Sequence, residues 1–285
     1  APVSKGFVVL AQNNKNVDYV KQAYALALSI KSTQLNVTNI SLVTNNRVPK
    51  KYKAVFDKII PIPWNDDATK TQWKIENRWK LYYASPYYET IVLDADMLLL
   101  EDIGLWWEYC GNFDIRFCSK IVNYKLENVV DNVHRKTFIA NSLPNVYHAL
   151  HYFKKSDEVA DFYKVLEFVV NNWELCYGRV APNEYQKWLS MDLACGISIE
   201  IAGLQDIIDV NSPLQFTHMK SPIQGWTITP DSWQDMVSHH LTSAGALVVG
   251  NIAQDKLFHY VEKNFITDNL LEELEELEEI ANGKY

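Results

Sequence analysis

Between Glu89 and Leu100 the chain reads Glu-Thr-Ile-Val-Leu, then Asp94 and Asp96 around Ala95, then Met-Leu-Leu-Leu. An apolar run without alternation is the mark of a strand covered on both faces, as in sheets flanked by helices. This run also stops on charge. Residues two apart on an extended chain face the same way, so Asp94 and Asp96 converge on one point. Open α/β sheets bind ligands beyond the carboxyl ends of their strands. Two carboxylates there suit an oxygen-loving divalent cation, which holds oxygens at roughly 2.0–2.5 Å and bridges substrate phosphates. A solvated acidic turn is the plainer alternative for the same residues.

The flanking sequence supplies the rest of such a sheet. Gly6 to Ala11, Asn39 to Thr44 and Lys58 to Ile62 read as short buried strands. Helical spacing carries Val20, Ala23, Tyr24, Ala27, Leu28 and Lys31, with Asp18 placed to cap the start. Gln72 to Ala84 reads as a helix with Trp73, Trp79 and Tyr83 near one face. The alternation predicts an α/β fold with a mostly parallel central sheet flanked by helices.

From about residue 112 the pattern changes. Asn112 to Cys118, Val146 to Phe153 and Ile197 to Ala202 read as strands, and Asp157 to Asn171 as an amphipathic helix. This half is expected to extend the same sheet, giving one domain over residues 1–265. Within it a nucleotide-binding part covers about 1–110 and an acceptor-side part about 111–265. The remaining segment, 266–285, is an acidic helix whose Leu270, Leu271, Leu274 and Leu277 suit docking or homodimer packing.

Bulk properties narrow the function. The 285 residues are 48% hydrophobic, enough for one sizeable core. A net charge of −8 argues against coating nucleic acid, whose phosphates demand a basic face. No stretch of about 18 apolar residues predicts a membrane span. Four cysteines without metal-type spacing, and no secretory pattern in residues 1–30, read as a cytoplasmic protein with reduced thiols. The Trp106-Trp107 pair and the segment from Trp226 to Trp233 suit either an acceptor surface or packing.

The run from Asn77 to Leu98, with Arg78 and Lys80 ahead of Asp94-Ala95-Asp96, resembles the GT-A glycosyltransferases, whose fold is the Rossmann-like nucleotide-diphospho-sugar transferase sheet. Within them it is similar to family 8, which includes glycogenin and lipopolysaccharide galactosyltransferases. The likeness covers about residues 6–103 and returns near 190–226. It implies that Asp94 and Asp96 are metal ligands, with Asp94 also near the ribose and Ala95 part of the nucleotide-sugar site. Arg78 would act on the nucleotide or donor sugar, with Lys80 nearby. Ala11 and Asn13 would cradle uridine, and Tyr19 would stack on uracil. The family takes a third metal ligand from a C-terminal His, followed by a Lys on the diphosphate; His218 and Lys220 fit that place in the chain. The family's Asn-Ser-Gly strand entry is replaced by Tyr147-His148-Ala149, and its Asp-Gln pair by Met191-Asp192-Leu193. Asp192 is expected beside the donor sugar as a catalytic group, and Asn145 and His148 on the acceptor side.

What the resemblance implies is a Mn²⁺- or Mg²⁺-dependent transfer, with retention, from a UDP-sugar to a carbohydrate or protein acceptor. A catalytically weak nucleotide- or carbohydrate-binding protein of the same fold is the alternative. A sugar nucleotidyltransferase fits less well, since the turn from Gln12 to Asn16 lacks the Gly-rich phosphate loop of those enzymes.

Overall fold

The computed structural model describes residues 5–68, 74–183, 186 and 188–283. Four apolar strands, β1 (Lys5–Leu10), β2 (Ile40–Val43), β3 (Lys58–Ile60) and β4 (Glu89–Leu93), pair in parallel in the order β3-β2-β1-β4. The second half adds β9 (Tyr147–Lys154), antiparallel to β4, and β6 (Ile115–Cys118), antiparallel in turn to β9. In this six-stranded sheet only β9 runs against the rest, as expected for a mostly parallel α/β core.

Helices cover both faces. On one lies α1 (Tyr19–Thr33), started by the Asp18 side chain accepting from the backbone N–H of Lys21. Nearly every residue from Val20 to Ile30 is buried, because α9 (Asp268–Ala281) packs across the outer side of α1. Leu270, Leu271 and Leu274 are buried there, and Leu277 packs near Gly245. Lys21–Asp268 at 2.7 Å, Lys51–Glu275 at 2.8 Å and Tyr24 Oη to Glu275 at 2.9 Å edge the contact. The leucines expected to serve docking or a dimer are thus taken up by the chain's own first helix. The other face carries α6 (Asp157–Asn171), capped by Ser156, and α8 (Met191–Ala202).

Three expectations are corrected. Ile197 to Ala202 is the end of α8, not a strand. Ser190 caps the start of that helix and Gly203, at φ 67°, closes its end. Ile197, Ile199 and Ile201 alternate with Ser198 and Glu200, a strand-like period of two that masks the helix. Residues 75–84 form a 3-10 stretch, Ile75–Lys80, and a single α turn, α3 (Leu81–Ala84), rather than one long helix; the helix expected from Gln72, and Trp73 with it, begins outside the described residues. Finally, the second half does not simply extend the first sheet. Together with β5 (Met97–Leu99) from the first half, it also builds a five-stranded sheet in the order β5-β14-β10-β7-β8, whose other strands are β14 (Leu257–His259), β10 (Gln215–His218), β7 (Lys120–Val122) and β8 (Asn128–Val129).

Shorter elements include α2 (Lys50–Lys53), α4 (Gly104–Cys110), α5 (Lys136–Ala140), α7 (Trp173–Val180) and a hairpin-like set β11 (His239–Leu241), β12 (Leu247–Val249) and β13 (Ile252–Ala253). Trp106, Trp107 and Trp233 are buried, so packing accounts for them. All four cysteines are buried and free. No helix among the described residues is long and apolar enough to cross a membrane.

Candidate functional site

The chain leaves β4, turns through Asp94, Ala95 and Asp96, and enters β5. That turn is therefore the junction between the two sheets. β5 pairs antiparallel with β14, which sets Met97 opposite His259, and the backbone N–H of Tyr260 donates to the Asp96 carbonyl at 3.3 Å. The result is a cluster in which one ligand atom each from Asp94, Asp96 and His259 lie within 4.8 Å of one another. His218 ends the neighbouring strand β10 as the register partner of His259. It stacks on that ring at 4.7 Å and an interplanar angle of 13°.

The imidazole that closes on the two aspartates is thus His259, where the sequence pointed to His218. Both follow buried strand residues, Leu257-Phe258 and Phe216-Thr217. Local sequence alone does not say which strand lies next to β5.

The cluster is strongly charged. Arg78 approaches both oxygens of Asp94, at 3.1 and 3.2 Å. Burial works against the Arg78 charge, but Asp94, Asp96 and Asp192 outweigh it and hold its pKa above the ordinary guanidinium value. Asp96 is buried and takes His259 Nε2 at 3.1 Å and the Lys263 ammonium on the same oxygen. Burial pushes its pKa up, yet His259 and Lys263 overcome this and leave it far below the usual carboxylate range. His218 is held well below the ordinary imidazole value by burial and stays neutral.

These groups border a cleft of about 320 Å³. Of the residues singled out in the sequence, Tyr19, Arg78, Asp94, Ala95, Asp96, His148, Asp192, His218 and Lys220 line it. Gln12, His259 and Lys263, not singled out, line it too. Asp192, in the first turn of α8, accepts from Arg135 Nη2 at 2.6 Å and from the backbone N–H of His148 at 2.8 Å. It also borders a second cavity of about 420 Å³, which shares Asp192, His218 and Lys220 with the first. A ligand in either cavity would meet one in the other at these three side chains.

Four expected residues lie elsewhere. Ala11 is fully buried in the core. Asn13 spends its side chain on the turn before α1, accepting from Val20 N–H at 3.0 Å and donating to Asp18 at 3.0 Å. Lys80 points to Asn77 and Asp66, at 2.5 and 2.7 Å. Asn145 borders a separate cavity with Ser119, Lys120 and Glu200.

The donor set fits a divalent cation: two carboxylates and an imidazole with atoms within reach of one point. The His259 Nδ1, where a ligating histidine usually takes an outer partner that orients it, has no hydrogen-bond partner among the described residues.

No protein-family model matches the sequence, and no curated protein does. Solved structures do. The galactosyltransferase LgtC, in complex with donor and acceptor sugar analogs, aligns with a TM-score of 0.50 at 12% identity, over 98% of this chain and 95% of that one. An active-site mutant of LgtC gives 0.53 at 14% identity over 95% and 94%. The bifunctional glycosyltransferase WbbM gives 0.51 at 12% identity, over 98% of this chain and 50% of its own. The chain has the GT-A fold of these glycosyltransferases.

Proposed function

We propose that this protein is a metal-dependent glycosyltransferase that moves a sugar from a UDP-sugar to a carbohydrate or protein acceptor with retention of configuration. The observation that carries the reading is the convergence of Asp94, Asp96 and His259 at the strand ends of this fold. A divalent cation held by those three would stabilise, as a Lewis acid, the charge that builds on the departing diphosphate. The ring of Tyr19, half-buried beside Lys263, is suited to the uracil base. Arg78, Lys220 and Lys263 bring positive charge to a cleft that otherwise presents carboxylates. Asp192, fixed by Arg135 and by the His148 N–H, stands where the donor and second cavities meet. There it would orient a sugar hydroxyl or stabilise an oxocarbenium-like centre. The second cavity is then the acceptor side. The acceptor hydroxyl attacks from the face the diphosphate leaves, and the diphosphate takes its proton. Catalysis on this account is mostly positioning and charge stabilisation.

The test is calorimetry of UDP binding with and without Mn²⁺. Asp96→Asn and Asp96→Ala are expected to lose the Mn²⁺-dependent part of binding while circular dichroism stays native. Unchanged Mn²⁺-dependent binding in both variants would remove the metal assignment.

A further inference from the structure

Lys263 is in an unusual position. Its ammonium contacts the same Asp96 oxygen that His259 Nε2 approaches at 3.1 Å. It therefore stands where the two-carboxylate cluster asks for a cation. The same nitrogen lies 5.5 Å from the centroid of the Tyr19 ring, on the side of the cleft read above as the base subsite.

With Lys263 in place the cluster is neutral, two carboxylates facing two cations, Arg78 and Lys263. A divalent cation arriving alone must displace an ammonium that would be left partly buried without an anion, which is costly. A diphosphate arriving alone meets carboxylates and an ammonium already engaged. Arriving together, each supplies the counter-charge the other lacks. Lysine suits such an exchange, being a compact charge on a flexible four-carbon stem.

We propose that Lys263 is an exchangeable counter-cation, which holds Asp96 and passes it to a divalent cation as a nucleoside diphosphate takes up the ammonium. Metal and diphosphate then bind as a coupled pair, each raising the affinity of the other by the same factor. This inference rests on the reading under Proposed function and adds the order and coupling of binding.

Calorimetry of Mn²⁺, of UDP and of both, on the wild type and on Lys263→Met, tests it. In the wild type Mn²⁺ alone is expected to bind weakly, and at least tenfold more tightly at saturating UDP. Lys263→Met is expected to bind Mn²⁺ alone about tenfold more tightly than the wild type, and the enhancement by UDP to shrink at least tenfold. Lys263→Gln keeps a donor for Asp96 without the charge, and serves where the Met variant fails to fold; the same direction is expected. Mn²⁺ binding alone that is no tighter in a folded variant, while the wild type and that variant both bind Mn²⁺ with UDP, overturns the inference and leaves the functional reading standing. Loss of UDP binding in the wild type at every Mn²⁺ concentration would instead overturn the functional reading, and the inference with it.

Discussion

Asp192 is held from two sides, by Arg135 at 2.6 Å and by the backbone N–H of His148 at 2.8 Å. A carboxylate so fixed, at the seam of two cavities, is organised before any substrate arrives. Asp192→Asn keeps the shape and loses the charge. It is expected to lower turnover roughly 100-fold, the scale of removing one preorganised electrostatic group, while UDP affinity with Mn²⁺ changes little. Steady-state kinetics alongside calorimetry checks this, and unchanged turnover would return Asp192 to a purely structural role. His151 sets a different expectation. It is fully buried, with Nδ1 donating to the His148 carbonyl, so Nε2 accepts from Tyr163 Oη. Burial lowers its pKa to about 4. The unfolded chain takes up a proton near pH 6.5 that the folded chain refuses, so stability falls as pH drops from there toward pH 4, by roughly 3 kcal/mol from this residue. His148 and His218 act in the same direction. His151→Gln is expected to narrow the fall in Tm between about pH 7 and about pH 4.5, and an equal fall would contradict the assignment. The aspartate pair was legible because two carboxylates stopping a buried apolar run is a local pattern, although the turn between β4 and β5, not alternation along a strand, brings them together. His259 was not, because its place beside Asp96 depends on β5 pairing with β14, some 160 residues apart in the chain.

Among the elements, α9 shows how a charged, amphipathic segment is used. Its buried leucines seal the outer face of α1, which explains why α1 itself is buried almost all round. Leu274 is 3% exposed, and Leu274→Ala is expected to cost about 2–4 kcal/mol through lost burial and a cavity. Chemical denaturation reads this as a lower midpoint with an unchanged slope. A loss under about 0.5 kcal/mol, the usual size of a surface change, would mean that α9 docks loosely. The helix itself was plain from its spacing, as were α1, α6 and the strands of the parallel core. The C-terminal half of α8 reads as a strand in the sequence because Ile197, Ile199 and Ile201 alternate with Ser198 and Glu200.

For the whole molecule, the parallel core of β1 to β4 followed from alternating apolar runs and helices, while the second sheet did not. Its strands are three or four residues long or shorter and come from distant parts of the chain, so no local pattern announces their pairing. Yet this sheet brings His259, His218 and Lys263 to the aspartates that end the first one. The site is a product of the junction between sheets, and the protein's activity should depend on that junction being loaded with metal. The most direct measurement is the release of UDP from UDP-sugars with Mn²⁺ present, followed for the wild type and for Asp94→Asn. Mn²⁺-dependent release from at least one UDP-sugar, abolished by chelation and by the substitution, is the predicted result. Release that is indifferent to both, or none from any UDP-sugar by a protein that binds UDP and Mn²⁺, would contradict the proposal of a metal-dependent sugar transferase.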